Sequence, residues 1–263
     1  MSRRFVTFEC EGNTLAATLD TGAATTGLVI VSGGNEVRAG PWNSQAQLAE
    51  RIAAAGFPVL RFDRRGVGDS AGPNGGFRAS APDIAAALAA FTAEVPNLKR
   101  VVAFGNCDAA SALMLGGGTG FDGLVLANPW SFDEADEEPG AATPMPPAAL
   151  RAHYLRRLTD PRALWRLLTG KVKLCDLAAS LAEAGRPATQ SALAAEMART
   201  LGGFTGAAVL LVAGRDRTGQ AFLANWGKAD PRIRVCPEAT HSFVEAPARI
   251  WLQGQILAML RGG

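Results

Sequence analysis

Three side chains in this sequence could together do acyl chemistry: the thiol of Cys107, the carboxylate of Asp216 and the imidazole of His241, in that chain order. Cys107 is the most telling. The run Val101-Val-Ala-Phe-Gly105 has the β-branched and aromatic character of a strand, and Asp108-Ala-Ala-Ser111 opens an Ala-rich helical stretch. Strand, tight turn and helix with a nucleophile at the apex make a nucleophile elbow, usually written Gly-x-Ser-x-Gly. Here it reads Gly105-Asn106-Cys107-Asp108-Ala109, with Cys for Ser and Ala for the last Gly. Small residues flank the apex because a strained backbone tolerates no bulk there. A lone Cys at a strand end is more often a small buried hydrophobe than a nucleophile, so the case depends on its partners.

Only two histidines are available as base, His153 and His241. His153 falls inside a long insertion. His241 falls between the last strand and the last helix, on the edge of the sheet where the elbow also lies. Asp216 sits two residues past Gly214, at the end of the preceding strand and 25 residues before His241. The order nucleophile, acid, histidine is the one an elbow-type triad follows. Its carboxylate would hold the imidazole tautomer and stabilise the imidazolium as Cys107 gives up its proton. Glu238 and Glu245 are rival acids beside His241. An oxyanion hole needs two backbone N–H groups. We expect these from Asp108, which follows the nucleophile, and from Gly34 in the loop Ser32-Gly33-Gly34-Asn35. A carboxylate at Asp108 opposes thiolate formation, whereas the helix N-terminus under Cys107 favours it. Asn35, Asn106 and Trp130 are candidate substrate-binding residues.

The elements that must position these residues alternate along the chain. Phe5–Cys10 and Thr14–Asp20 read as a hairpin, and Thr26–Val31 as a strand buried on both faces. Further strands are expected at Phe57–Phe62, at the elbow, and at Gly123–Ala127, Ala207–Ala213 and Ile233–Cys236. Helical spacing covers Trp42–Ala55, Pro82–Val95, Gln220–Lys228 and Glu245 to Leu260. Eight strands alternating with helices after an opening hairpin imply an α/β fold with a mostly parallel, doubly wound sheet. Residues 1–130 and 207–263 would form its core.

The alternation breaks between residues 131 and 206, too long a stretch for a simple crossover. This insertion opens acidic and Pro-rich, then turns helical and basic with Arg151, Arg156, Arg157, Arg162 and Arg166. It reads as a helical lid over the C-terminal edge of the strands, where open α/β sheets bind ligands. Its arginines either face water or meet an acidic group. The net charge of +2 gives no reason to expect nucleic acid as a partner. Four Cys without paired spacing argue against disulfides or a zinc site, and Cys10, Cys175 and Cys236 read as structural thiols. No apolar run reaches the ~18 residues of a membrane span and the start lacks a signal-peptide core, so a cytoplasmic protein without membrane insertion is expected. We expect no metal and no cofactor. A small acyl substrate is the expected partner, with a homodimer left open.

The Gly33-Gly34 loop, Phe62-Asp63-Arg64-Arg65-Gly66-Val67-Gly68-Asp69-Ser70, the elbow, Gly214-Arg215-Asp216 and His241 resemble the α/β-hydrolase superfamily over essentially the whole chain. In that family the Asp63–Ser70 loop is a frequent feature, taken here as structural. More narrowly, Gly105-Asn-Cys-Asp-Ala-Ala-Ser111, Asn128-Pro129-Trp130 and His153-Tyr-Leu-Arg-Arg-Leu158 resemble exosortase A system-associated hydrolases of the first type. Those are bacterial proteins encoded near exopolysaccharide and protein-sorting genes. The resemblance implies a Cys in place of the elbow Ser, a lid, and hydrolysis of an ester or thioester through a covalent acyl-enzyme. A thioester intermediate also suits acyl transfer. A third reading, of a different class, is an inert binding partner that keeps the fold without the chemistry.

Overall fold

Strands that are apolar at every inner position bury both faces, and this chain has four in a row across its centre. In Thr26–Val31 (β3), Val29 and Val31 join one core cluster while Leu28 and Ile30 join the other. The same alternation holds in Arg100–Asn106 (β5), Gly123–Ala127 (β6) and Ala207–Ala213 (β7). Successive side chains on a strand point to opposite faces, so each of these strands needs helices on both sides. The computed structural model describes residues 2–132 and 191–262, and it supplies them.

The sheet has eight strands. Arg3–Cys10 (β1) and Asn13–Asp20 (β2) form the opening hairpin, Val59–Phe62 (β4) pairs with both β2 and β3, and Ile233–Cys236 (β8) closes the far edge. The order is β1-β2-β4-β3-β5-β6-β7-β8. The pairings β1–β2 and β2–β4 are antiparallel and the rest are parallel. Helices Ser44–Ala54 (α1) and Ala246–Arg261 (α6) cover one face. Ala81–Glu94 (α2), Asp108–Leu115 (α3), Ala192–Leu201 (α4) and Arg217–Trp226 (α5) cover the other. This is the mostly parallel, doubly wound sheet expected from the alternation, in the α/β-hydrolase arrangement that the resemblance implies. Among the described residues no helix is long and apolar enough to cross a membrane.

Several boundaries differ from the spacing by one to three residues, and two helix starts do so for a clear local reason. The helix expected from Trp42 begins at Ser44, because Trp42 and Asn43 take left-handed backbone conformations (φ 53° and 59°) that no helix continues. The helix expected from Gln220 begins at Arg217, because the Asp216 side chain caps it by accepting the Gly219 N–H. Of the expected lid, 133–190 lies outside the described residues. Its last part is α4, whose Leu193, Ala194, Met197 and Leu201 pack into the core beside α3.

Strand order reverses at β3: the chain passes to β4 on one side and β5 on the other. At such a switch point the loops after two neighbouring parallel strands diverge and leave a crevice. Val31 and Gly105 are paired there. The register therefore puts the Gly33-Gly34 loop beside Cys107.

Candidate active site

The elbow is built as its sequence implies. Cys107 has φ 62° and ψ −129°, a region costly for any residue with a Cβ. The chain turns from β5 into α3 in one step here, and Cys107 becomes the cap residue of the helix. Gly105 is required by space: a Cβ there would stand 2.8 Å from the Ala109 carbonyl carbon and the Ala110 nitrogen. The bend is braced from outside, as the Cys107 N–H donates to the Ala127 carbonyl (3.0 Å) and its own carbonyl accepts from the Trp130 N–H (3.3 Å). Ser111 adds a hydroxyl bond to the Trp130 carbonyl at 2.7 Å. The thiol, partly exposed, sits over the helix N-terminus.

His241 and Asp216 are brought to this thiol by the loops after β8 and β7. Asp216 Oδ2 lies 2.8 Å from His241 Nδ1 and 3.0 Å from the Gly219 N–H it caps. One oxygen thus fixes a helix start and an imidazole together. Burial alone would lower the basicity of His241. Hydrogen bonds to Asp216 and Cys107, and the negative charge of both, outweigh it and push the pKa up from 6.5 to about 10. Of the rival acids, Glu245 accepts the Thr240 N–H at 3.2 Å and holds the turn before His241, and Glu238 is exposed.

The backbone of His241 is held by two amides. Asn128, fully buried with φ 43°, donates from Nδ2 to the His241 carbonyl (3.1 Å) and to Asn106 Oδ1 (3.0 Å), and accepts the Ala213 N–H (2.8 Å). Asn106 Nδ2 donates to the same His241 carbonyl at 3.3 Å. Three strand ends are tied through one side chain. Asn106, expected to bind substrate, instead spends its amide on this tie. Asn128 was quoted in the sequence only as part of a motif; nothing in its spacing gave it this role.

The corner around Gly34 and Asp108, where the oxyanion hole was expected, is arranged differently. The Asp108 N–H, at the first position of α3, has no partner within the helix. The Gly34 N–H is not free: it donates to Asp108 Oδ1 at 2.6 Å. Gly33 can be nothing larger, since a Cβ there would stand 2.7 Å from both the Asn106 carbonyl oxygen and Asp108 Oδ1. Behind the loop lies Arg64, 4 % exposed. Its Nη2 donates to the Gly34 carbonyl and lies 3.4 Å from Asp108 Oδ2, while its Nη1 is buried without a partner among the described residues. The sequence placed Arg64 in a structural loop, and much of that loop is one. Buried Asp63 binds the Arg38 side chain and the Asp69 N–H, and the Ser70 hydroxyl donates to the Asp63 carbonyl.

A cleft of about 420 Å³ opens over this corner, lined by Cys107, Gly34, Asn35, Asp108, Trp130 and Arg64 among others. That volume suits a small organic ligand. Asn35 is anchored in it by Asn74 (2.8 Å), and the Trp130 indole N–H is buried with no partner among the described residues. Asn106 faces a separate cavity of about 300 Å³ between α1 and α6. Among the described residues no group of three His, Cys, Asp or Glu side chains could hold a metal ion. His153 and Cys175 lie outside the described residues.

The comparisons agree with this geometry at the level of family and fold. A model of the alpha/beta hydrolase family matches residues 28–251. An esterase of Pyrococcus furiosus superposes with a TM-score of 0.64 at 15 % identity, covering 99 % of this chain and 90 % of its own. The alpha/beta hydrolase GrgF of a Penicillium species gives 0.65 at 15 %, covering 100 % of both. Est1E of Butyrivibrio proteoclasticus, solved with ferulic acid bound, gives 0.62 at 13 %, covering 96 % of this chain and 98 % of its own. No curated protein matches the chain by sequence.

Proposed function

The chain belongs to the alpha/beta hydrolase family, and from that premise we propose that it hydrolyses an ester or thioester through Cys107, His241 and Asp216. The observation that carries this reading is the imidazole held between Asp216 Oδ2 at 2.8 Å and the Cys107 thiol, with its pKa pushed up to about 10. An imidazole that stays protonated at neutral pH beside a thiol over a helix N-terminus is the setting of a thiolate–imidazolium pair.

In the proposed reaction the Cys107 sulfur attacks the acyl carbonyl carbon, forming an S–C bond as the carbonyl π pair moves onto oxygen. Collapse of this intermediate expels the alcohol or thiol, which leaves with the proton of His241. Water then gives a proton to His241 and its oxygen to the acyl carbon. A second collapse breaks the S–C bond, releases the acid and restores the thiolate. The N–H groups of Asp108 and Gly34 would hold the oxygen in both intermediates. Asn35 and Trp130, which line the cleft with Cys107, are proposed to contact the acyl group.

The narrower reading, a hydrolase of the exosortase A-associated type acting in the cytoplasm under a lid formed by 131–206, rests on the Gly105–Ser111 and Asn128–Trp130 motifs. Acyl transfer would use the same acyl-enzyme with another acceptor in place of water. The inert-partner reading has one observation in its favour: the Gly34 N–H is already taken by Asp108.

Intact-mass spectrometry after brief exposure to activated acyl esters and thioesters separates these readings. A single acyl adduct on Cys107, absent in Cys107→Ala and strongly slowed in His241→Ala, is the expected result. Alkylation of Cys107 no faster than that of Cys10 and Cys236, with no adduct from any donor, would leave the inert partner standing. The contrast is built in, because burial pushes the thiols of Cys10 and Cys236 above the ordinary range.

A further inference from the structure

Resting on that reading, we propose that Asp108 is a gate on the oxyanion site, holding the Gly34 N–H until a substrate carbonyl enters and then moving onto Arg64. Three observations converge on this residue. Its Oδ1 accepts the Gly34 N–H at 2.6 Å, so the donor that should receive the developing oxyanion is occupied by a full negative charge. Its Oδ2 is already 3.4 Å from Arg64 Nη2, at the long end of a charged contact. Arg64 is 4 % exposed, lines the cleft that Cys107 lines, and carries a buried Nη1 with no partner among the described residues.

Buried donors are rarely left unsatisfied, and a guanidinium is built to take a carboxylate through two N–H groups at once. Here it has only half of such a pair. A turn of the Asp108 side chain away from Gly34 would complete it. That movement frees the Gly34 N–H, completes the hydrogen bonding of Arg64, and draws negative charge away from the thiolate and the oxyanion. Glu36, on the same loop, has its carboxyl pushed up by burial and also by the charge of Asp108. The carboxylate thus stands where the oxyanion would stand, and its exit is prepared. The Asp108 N–H remains in the site throughout, because the backbone of α3 does not move.

The test compares two reagents on wild type, Asp108→Asn and Asp108→Ala. A trifluoromethyl ketone adds to the thiolate: an S–C bond forms, the carbonyl pair moves to oxygen, nothing leaves, and an oxyanion persists. Iodoacetamide forms an S–C bond with loss of iodide and makes no oxyanion. Adduct affinity is read by fluorine NMR and alkylation by mass, so any effect of the Asp108 charge on the thiolate itself appears in both and divides out. After that correction we expect Asp108→Ala to bind the ketone on the order of ten- to a hundred-fold more tightly than wild type, the scale of one charge-assisted hydrogen bond. Asp108→Asn should gain less, because an amide oxygen still accepts from Gly34 but without charge. Arg64→Lys should weaken the adduct in the wild-type background and not in Asp108→Ala, since only a present carboxylate needs somewhere to go.

A corrected gain near one, or a loss, in Asp108→Ala with ordinary alkylation overturns the gate and leaves the proposed function standing. No adduct in any variant, with Cys107 alkylated no faster than the other thiols, overturns the proposed function and the gate with it.

Discussion

The two halves of the site are finished to different degrees. On the His241 side one Asp216 oxygen serves both Gly219 and the imidazole, and Asn128 ties three strand ends. On the Gly34 side a carboxylate occupies the Gly34 N–H, and one nitrogen of Arg64 has no partner among the described residues. Yet the same structural resources serve both, namely loops at the C-terminal edge of adjacent parallel strands. The difference lies in what each half must do. On the proposed function, a base has to be oriented before the substrate arrives, and rigidity serves it. On the same proposal, a hole for an anion that exists only during the reaction has to be neutralised or filled in between.

The largest expected effects fall on the finished half. His241→Gln should slow acylation of Cys107 by on the order of 10²- to 10⁴-fold, the usual contribution of a positioned acid–base. Asp216→Asn should fall in the same range with little change in stability from the cap of α5, because an Asn side-chain oxygen caps a helix about as well as that of Asp. Single-turnover acylation and thermal denaturation read the two separately. Should either variant acylate at the wild-type rate, the two halves would not differ in the way described.

Asn128→Ala comes next. It strands the buried Ala213 N–H and leaves the His241 carbonyl to Asn106 alone, at about 1–3 kcal/mol for the unsatisfied donor, and leaves Ala at φ 43°, costing about 1 kcal/mol more. Asn128→Gly removes the second cost and keeps the first, so the difference between their denaturation midpoints isolates the hydrogen bonds. On the other half, Gly33→Ala forces a methyl against the Asn106 carbonyl and the Asp108 carboxylate. Overpacking of this kind costs about 1–3 kcal/mol. If the oxyanion corner is the adaptable one, the variant should fold and lose reactivity toward carbonyl reagents more than toward iodoacetamide.

Much of the fold was legible because its signals are strong. Strands β3, β6, β7 and β8 have the limits read from their apolar runs, and the elbow announces itself by small residues around one cysteine. Asp216 and His241 were singled out by order and by their place after strands, and they lie 2.8 Å apart. What spacing could not give is where a side chain spends its hydrogen bonds. Asn106 and Asn128 look alike in sequence as amides after a strand, yet one was expected in the acyl pocket and both hold the His241 loop. Arg64 belongs to a loop whose other residues are structural, and its approach to Gly34 depends on β4 and β3 being neighbours across 30 residues. The tension at Asp108 was visible as a charge beside a thiol, but its acceptor role toward Gly34 is a fact of geometry alone.

The smallest expected effect is on stability and follows from the charge of the finished half. His241 has its pKa raised from 6.5 to about 10 in the folded chain, so folding takes up a proton anywhere between those values. The stabilisation from the imidazolium is complete below about pH 6.5 and is lost as the pH rises through 10. Because the ring is about a third exposed, solvent screens the effect and it should be modest. Thermal midpoints of wild type and His241→Gln, measured from pH 6 to 10, should converge with rising pH after other titrations cancel in the difference. Asp108→Ala should keep the same convergence, since Asp108 makes no hydrogen bond to the imidazole. A gap that widens with pH would mean that His241 is held neutral in the folded chain, and the thiolate–imidazolium pair would fall with it.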